Sequence, residues 1–484
     1  MYDEAIVGGG VGGILTGAML AHGGRAVILF EAMDYLGGCS GTFKRGGFAY
    51  NAGATTLVGL SPALPLGFLA QTLGVTLSVK AIDPALRVHL PDREVRMFQN
   101  RSRLVGELSR AFPQDDVEGL WKRIFRVSDP AWSVMRDLPP FPPRSVKELR
   151  SAARALVHLV SRGGPDVLRS AKTVLSSHVK TPPFRHFLDQ LLLITNQAFS
   201  DEVPFLAGAL GLSYTTLDNY SALGGMGAAA EAFARKIPVV MKQTLVRKIE
   251  RNGGTFRLHT TRGSFEARRV ILNRDVWGAA SLFDDPSLKT LETKRQVRYR
   301  DRWGAVTLHF MVRNDFPGDF EAHHQIHHPL NPETGSRSFF LSLSEPSDER
   351  LSPGGFRSVT ISTHTELPRW ENLSLDGYRD KKDRFRDFVL LALYRAIPEF
   401  RNAEKGAILV GTPRTFARYT RRTGGTVGGI PLRLRHFPLG YPSSLTPLEN
   451  VYFVGDSVFP GQGWPGVAVG AMGLVRRLEP DLLT

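Results

Sequence analysis

The chain predicts an α/β fold in which a dinucleotide-binding βαβ unit is interleaved with an α+β substrate domain. Three observations predict it. A glycine-rich turn lies between two short apolar runs within residues 1–31. A second strand–turn–helix pattern, "NVYFVGDSVFPGQGWPGVAVGA", returns at Asn450–Ala471. Between them, runs rich in aromatic and β-branched residues alternate with helical patterns.

Composition sets the outer bounds. A chain of 484 residues can bury more than one core. Its 42% hydrophobic and 22% charged content is that of an ordinary globular protein. The single cysteine, Cys39, excludes a disulfide framework or a cysteine-rich metal site and suits a reducing compartment. A net charge of +15 favours anionic partners, either phosphate-bearing ligands or an acidic membrane surface. No zinc finger, RNA-binding aromatic motif or basic-region heptad is present, so nucleic acid is not expected. No apolar run reaches the ~18 residues of a spanning helix, and no secretory signal is recognisable at the start. The expected location is cytoplasmic, with peripheral membrane association.

The first element carries most of the argument. "DEAIVGGGVGGILTGAMLAHGGRAVILFEA" has a strand at Ala5–Val7, then Gly8-x-Gly10-x-x-Gly13, a helix over Ile14–Ala21, and a strand over Arg25–Phe30 ending in Glu31. This is the Rossmann-type fingerprint in its proper βαβ setting. Gly8 permits the tight turn, Gly10 lets backbone approach a pyrophosphate, and Gly13 lets helix and strand pack closely. The helix N-terminus offers N–H donors and partial positive charge to the phosphates. Glu31 is placed to accept from ribose hydroxyls. The bland alternative is a ligand-free glycine turn with Glu31 as an exposed strand-end carboxylate.

A second glycine pair, Gly37-Gly38, follows soon after that carboxylate, and Gly53-Ala54-Thr55 comes next. The block resembles the start of carotenoid isomerases, retinol saturases and phytoene-desaturase-type enzymes in the amine-oxidase-like flavoprotein superfamily. The resemblance implies FAD rather than NAD. Many members of the superfamily have an arginine after the glycine pair, whereas this chain has Cys39-Ser40. The change removes a phosphate-side cation, leaving a backbone N–H or Ser40 to serve. Cys39 is read as a small packing residue in preference to a redox thiol.

Further segments fit the same plan. "SALGGMGAAAEAFAR" (Ser221–Arg235) is a glycine turn opening an Ala-rich helix and resembles the family's re-entry into the FAD domain. Strands with turns at Asn252-Gly253-Gly254 and Arg262-Gly263 follow, and Arg269–Asn273 reads as a strand returning beneath the cofactor. The resemblance places the backbone of Val246 at adenine; otherwise Val246 is a buried strand residue. "ALRVHLPDREVRMF" reads as a hairpin, and "WGAVTLHFMVR", "SRSFFLSLS" and "FRSVTISTH" as strands of a mostly antiparallel sheet, backing an apolar cavity or simply core. Phe385, Phe388, Val389, Ala392 and Leu393 mark the core face of an amphipathic helix. The histidines of "EAHHQIHHP" (His323, His324, His327, His328) are expected in a polar loop, and no metal is expected there.

Arg144–Ile194 is rich in Lys and Arg, with only Glu148, Asp166 and Asp189 opposing them. Leu149, Ala153, Leu156, Val157 and Val160 share one helical face, and Val167, Leu168, Ala171 and Leu175 repeat the pattern. Such a basic amphipathic segment can lie in an anionic membrane interface. The alternative is a surface helix pair covering the substrate domain.

In the C-terminal block the resemblance implies that Gly455-Asp456 returns to the ribityl and pyrophosphate side of FAD. It also puts Pro460–Gly463 beside the flavin ring, with a helix beginning near Gly466 aimed at the ring's N1/C2=O edge. Without ligand, Asp456 is an N-cap-like residue. The implied cofactor contacts are therefore Gly8, Gly10, Gly12, Gly13, Glu31, Ala32, Gly38, Cys39, Ser40, Gly53, Ala54, Thr55, Val246, Gly455, Asp456, Gly463, Gly466 and Val467. The expected FAD-binding domain comprises 1–80, 221–285 and 405–484; the substrate domain comprises 81–220 and 286–404, with 144–194 the basic helical segment. The expected activity is FAD-dependent desaturation, saturation or cis/trans isomerisation of a lipophilic polyene, a carotenoid or related isoprenoid, with no catalytic acid or base identified. The alternatives are a flavin amine or porphyrinogen oxidase and a non-redox prenyl-binding escort protein on the same fold. Neither substrate identity nor oligomeric state is legible.

Overall fold

β1 (Tyr2–Val7), α1 (Val11–His22) and β2 (Val27–Phe30) form the expected βαβ unit in a computed structural model that describes residues 1–437 and 439–483. The strands run parallel, with Ala5 opposite Ile28. Helices and loops cover both sheet faces, which is why β2 reads as a continuous apolar run, every residue buried. Close packing of α1 on the sheet depends on small residues: a Cβ on Gly17 would meet Ile6 Cδ1 at 2.6 Å.

The first sheet runs in the order Val239–Met241, β2, β1, Gly263–Leu272, Thr255–Thr260 and Val246–Asn252. Val451–Phe453 also pairs with Gly263–Leu272, in parallel. Val7 lies opposite Leu272, and Leu272 opposite Phe453. Three strands from distant parts of the chain therefore end side by side, where ligands bind in open parallel sheets. Leu15 and Met19 of α1, Phe233 and Met472 form the core on one side of this sheet; Trp277, Phe283 and Phe453 lie on the other.

The second sheet runs Leu409–Gly411, Trp303–Arg313, Phe356–Glu366, Ser338–Leu343, His323–His327, Leu86–His89 and Glu94–Met97. It is antiparallel except between His323–His327 and Leu86–His89. The helix Leu375–Ala396 covers one face through Phe385, Val389 and Leu393, while Phe388 and Ala392 are half-buried. A separate helical core gathers Trp121, Phe184 and Phe187.

Four expectations need correction. His323, His324 and His327 lie on a buried strand, not in a polar loop; His328 follows it and is also buried. Leu409–Gly411 joins the second sheet, so the chain has not returned to the first sheet at 405. The C-terminal helix is Gly463–Leu478, so Gly463 opens the helix instead of belonging to the loop. The second half of the basic segment is not interfacial: Val167, Ala171 and Leu175 are buried, and only Leu168 remains exposed. The cause is Asp166, whose buried carboxylate receives Arg123 at 2.6 Å, Arg126 at 2.9 Å and Arg169 at 3.1 Å. Arg123 and Arg126 belong to the helix Val117–Met135, so the buried Asp166 ties the segment to the helical core.

Candidate functional site

The carboxyl ends of the parallel strands open onto a cavity of about 1090 Å³. Gly8, Gly10, Gly12, Glu31, Ala32, Gly38, Cys39, Ser40, Gly53, Ala54, Thr55, Val246, Gly455, Asp456, Gly463, Gly466 and Val467 all border it. Gly13 is not among the bordering residues and instead packs α1 against β1, where a Cβ would meet Gly8 O at 2.5 Å and Ile6 Cγ2 at 3.0 Å.

The cradle at the N-terminus of α1 has no room for side chains. A Cβ on Gly10 would sit 2.5 Å from Asn273 Nδ2, and one on Gly12 2.9 Å from the Gly455 backbone. Gly8 leaves β1 at φ +107, which favours glycine. Gly10 is the N-cap of α1; no side chain caps the helix and no acidic residue sits in its first turn. Its N–H groups and dipole are left open to an anion. At the end of β2, Glu31 accepts from Gly9 N–H at 2.7 Å and Met33 N–H at 2.8 Å. Burial pushes its carboxyl up against the pull of those donors. Backbone N–H groups for a diphosphate, with a strand-end carboxylate for a ribose, fit FAD.

Ser40 accepts a 2.7 Å hydrogen bond from Trp464 Nε1 of the C-terminal helix, which fixes the hydroxyl at the cavity edge and leaves its O–H free to donate. Burial pushes the Cys39 thiol up, partly countered by Arg422, and a neutral thiol suits packing better than redox chemistry. Asp456 Oδ1 receives Arg422 Nη2 at 2.9 Å. Burial opposes the charge on Arg422, but the Asp456 carboxylate outweighs it and holds the guanidinium above its usual range. Sequence reasoning missed Arg422, Asn273 and Arg274, all of which border the cavity. The only signal was the arginine pair of "YTRRTGG" just before the family-like "GGTVGG".

Away from the cradle the cavity becomes apolar. Leu193, Leu206, Leu210, Phe340, Phe459 and Phe141 border it, and the last two rings stack at 4.3 Å. The second sheet adds the hydroxyls of Thr307, Ser338, Ser362 and Thr363, together with His364. Burial pushes His364 down to about 4, so it is neutral near pH 7. The outer wall is the helix Val146–Gly163, through Leu149, Ala153, Leu156 and Leu159. Among the described residues no group of three or more His, Cys, Asp or Glu is arranged to hold a metal. The buried histidines instead pair internally: His89 with His324 at 3.0 Å and His323 with Ser342 at 2.8 Å.

A cradle of this kind, closed by both ends of the chain, defines a flavin-binding oxidoreductase fold. The chain belongs to the flavin containing amine oxidoreductase family, which matches residues 11–472, and FAD is its cofactor. It is 27% identical to a prolycopene isomerase, chloroplastic, of an Oncidium hybrid cultivar, over 99% of this chain and 84% of that one. It is 24% identical to a zeta-carotene-forming phytoene desaturase of Myxococcus xanthus, over 98% of this chain and 93% of the relative. A solved oxidoreductase from Methanosarcina mazei shares the fold, with TM-score 0.64 at 16% identity, covering 98% of this chain and 100% of that one.

Proposed function

We propose that the protein acts on carbon–carbon bonds of a long apolar polyene, a carotenoid or related isoprenoid, by desaturation, saturation or cis/trans isomerisation. The observation that carries this reading is the apolar arm of the cavity, which leads from the glycine cradle past Leu and Phe side chains to an outer helical wall. The names of the relatives, an isomerase and a desaturase of polyenes, point the same way. Nothing in that arm favours an amine or porphyrinogen substrate, and an intact diphosphate cradle argues against a non-redox escort.

When bound, FAD supplies hydride acceptance or donation at its ring. The chain's part is positioning. Apolar side chains orient the substrate and exclude water, and the second-sheet hydroxyls border its path. His364 is the one titratable side chain that the second sheet presents to the cavity among the described residues, and its neutral imidazole can take or give a proton.

The substrate arrives from a membrane surface. No helix among the described residues is long and apolar enough to cross a membrane. However, Val146, Leu149, Leu156 and Val157 are 50–67% exposed on the helix Val146–Gly163. Glu148 is taken by Arg477 at 3.0 Å, which leaves Lys147, Arg150 and Arg154 without an ion-pair partner among the described residues. Apolar residues with adjacent free cations suit an anionic interface, and the same helix walls the cavity.

Expression in a pigment-producing host, with lipid extracts compared by chromatography and mass, tests the reading. A gain of two hydrogens identifies a saturase, a loss of two a desaturase, and altered retention at constant mass an isomerase. No change in any polyene of a host accumulating linear carotenoids refutes it.

A further inference from the structure

Arg422 has a charge that none of the roles above uses fully. One Nη is bonded to Asp456, while its Nε is buried and has no hydrogen-bond partner. Asp456 follows Gly455, whose backbone is what a side chain on Gly12 would strike at 2.9 Å. Arg422 borders the same cavity as Gly10 and Gly12 at the N-terminus of α1. Cys39, from the loop after the second glycine pair, interacts with the same guanidinium.

We propose that Arg422 is a cofactor-binding residue whose guanidinium, anchored by Asp456, supplies the positive charge for the diphosphate of FAD. The inference rests on the flavin reading of the cavity and adds the residue that neutralises the ligand there. A diphosphate brings two negative charges into a cavity bordered by the carboxylates Glu31, Asp275 and Asp456 and by the cations Arg274, Arg421 and Arg422, of which Arg422 is the one bonded to Asp456. Backbone N–H groups alone offer only partial charge. The Gly37–Gly41 loop carries no cation, and Ser40, which accepts from Trp464, can add only a neutral O–H donor. A guanidinium has five N–H donors in a planar fork, so it can hold a carboxylate with one edge and an anion with another. Arg422 is also held in position. Thr423, the next residue, donates its N–H and its hydroxyl to Asp275 at 2.7 and 2.8 Å, and Arg421 before it turns the chain at φ +56 after the helix Pro413–Thr420.

The test follows FAD release from the diluted holoprotein by flavin fluorescence, for wild type, Arg422→Lys, Arg422→Gln, Arg422→Ala and the double variant Arg422→Ala/Cys39→Arg. Loss of a charged hydrogen bond predicts FAD affinity about 10- to 100-fold weaker for the Gln and Ala variants. The Lys variant, which keeps the charge but not the fork, is expected between them and wild type. The double variant, with the cation moved to position 39, is expected to recover most of the loss. Wild-type affinity is also expected to fall more steeply with salt than that of Arg422→Gln. A merely structural ion pair would lower the thermal midpoint without steepening the salt dependence and would not be rescued from position 39. Affinity of Arg422→Gln within twofold of wild type, or a double variant no better than Arg422→Ala, overturns the inference while leaving the flavin site standing. If Arg422→Gln does not fold, an Arg422→Lys protein holding FAD as tightly and with the same salt slope as wild type counts against the fork, and failure of the double variant against the charge. A wild-type protein that binds no FAD removes both readings.

Discussion

The glycine cradle and the helix Val146–Gly163 border the same cavity, yet they are built by opposite rules. In the cradle every ångström is occupied: a single Cβ on Gly10 or Gly12 would fall within 3 Å of an atom already in place. On the helix, apolar side chains stand in solvent and only Gly163 is fully buried. The cradle tolerates nothing because its backbone passes close to Asn273 and Gly455, with the helix N–H groups left uncapped. The helix leaves its face open, as an element does when its packing partner is not part of the chain.

The sharpest way to break this contrast is Gly12→Val. Its side chain would collide with the Gly455 backbone, so FAD binding is expected to fall by more than about 100-fold, a misfit of at least ~2.7 kcal/mol. Flavin absorbance of the purified variant reads this directly, and a fully yellow protein would mean the cradle is slack.

Acid should separate the two sheets. In the second, burial pushes His309 and His327 down to about 3 and His323 and His364 to about 4. Unfolded histidine titrates near ~6.5, so below that pH the unfolded chain binds more protons. The second sheet is then fully stable above pH 6.5 and loses about 2 kcal/mol per histidine by pH 5. In the first sheet the sign reverses. Burial pushes Glu4 up to about 7, outweighing Arg269 at 3.0 Å. Its contribution is fully present below the unfolded carboxylate range and is lost as pH rises through 7, costing about 2–3 kcal/mol by pH 8. Hydrogen exchange at pH 7.5 and pH 5 should show Phe356–Glu366 losing protection in acid while β1 keeps its own. Earlier opening of β1 in acid would contradict this.

The smallest expected effect is at the outer wall. Leu156→Glu should weaken flotation with anionic vesicles about 10-fold, roughly one buried leucine's worth of transfer energy, and leave FAD content and the thermal midpoint unchanged. A large drop in midpoint would show that the helix is packed and not interfacial.

How much of this was legible depended on how far each requirement reached along the chain. Gly8, Gly10 and Gly13 announce themselves because turns and close approaches restrict the residue at that very position. The strand at Ser338–Leu343 is legible from its aromatic and apolar content and the helix Leu375–Ala396 from its periodicity. Periodicity could not say which apolar face would be covered. Leu149–Val160 and Val167–Leu175 carry the same pattern; Leu149, Leu156 and Val157 of the first stay exposed, while Asp166, held by Arg123 and Arg126 of a neighbouring helix, ties the second to the core. The histidine strand is hidden from a sequence reading because polar side chains suggest a loop, whereas here burial keeps the rings neutral and His324 and His323 pair with His89 and Ser342 inside the sheet. Arg422 was missed because its partner Asp456 lies 34 residues further on.

The sequence by itself determined the glycine turn, the helix start behind it and the strand-end carboxylate, since backbone turns and helix starts are local demands written in local residues; the return of the C-terminus to that turn was legible only through the family resemblance. Only the tertiary structure decided which cation stands at the cradle, which histidines are neutral and which apolar face meets the outside. Burial and charge depend on what lies across the gap, and the chain brings those neighbours from far away.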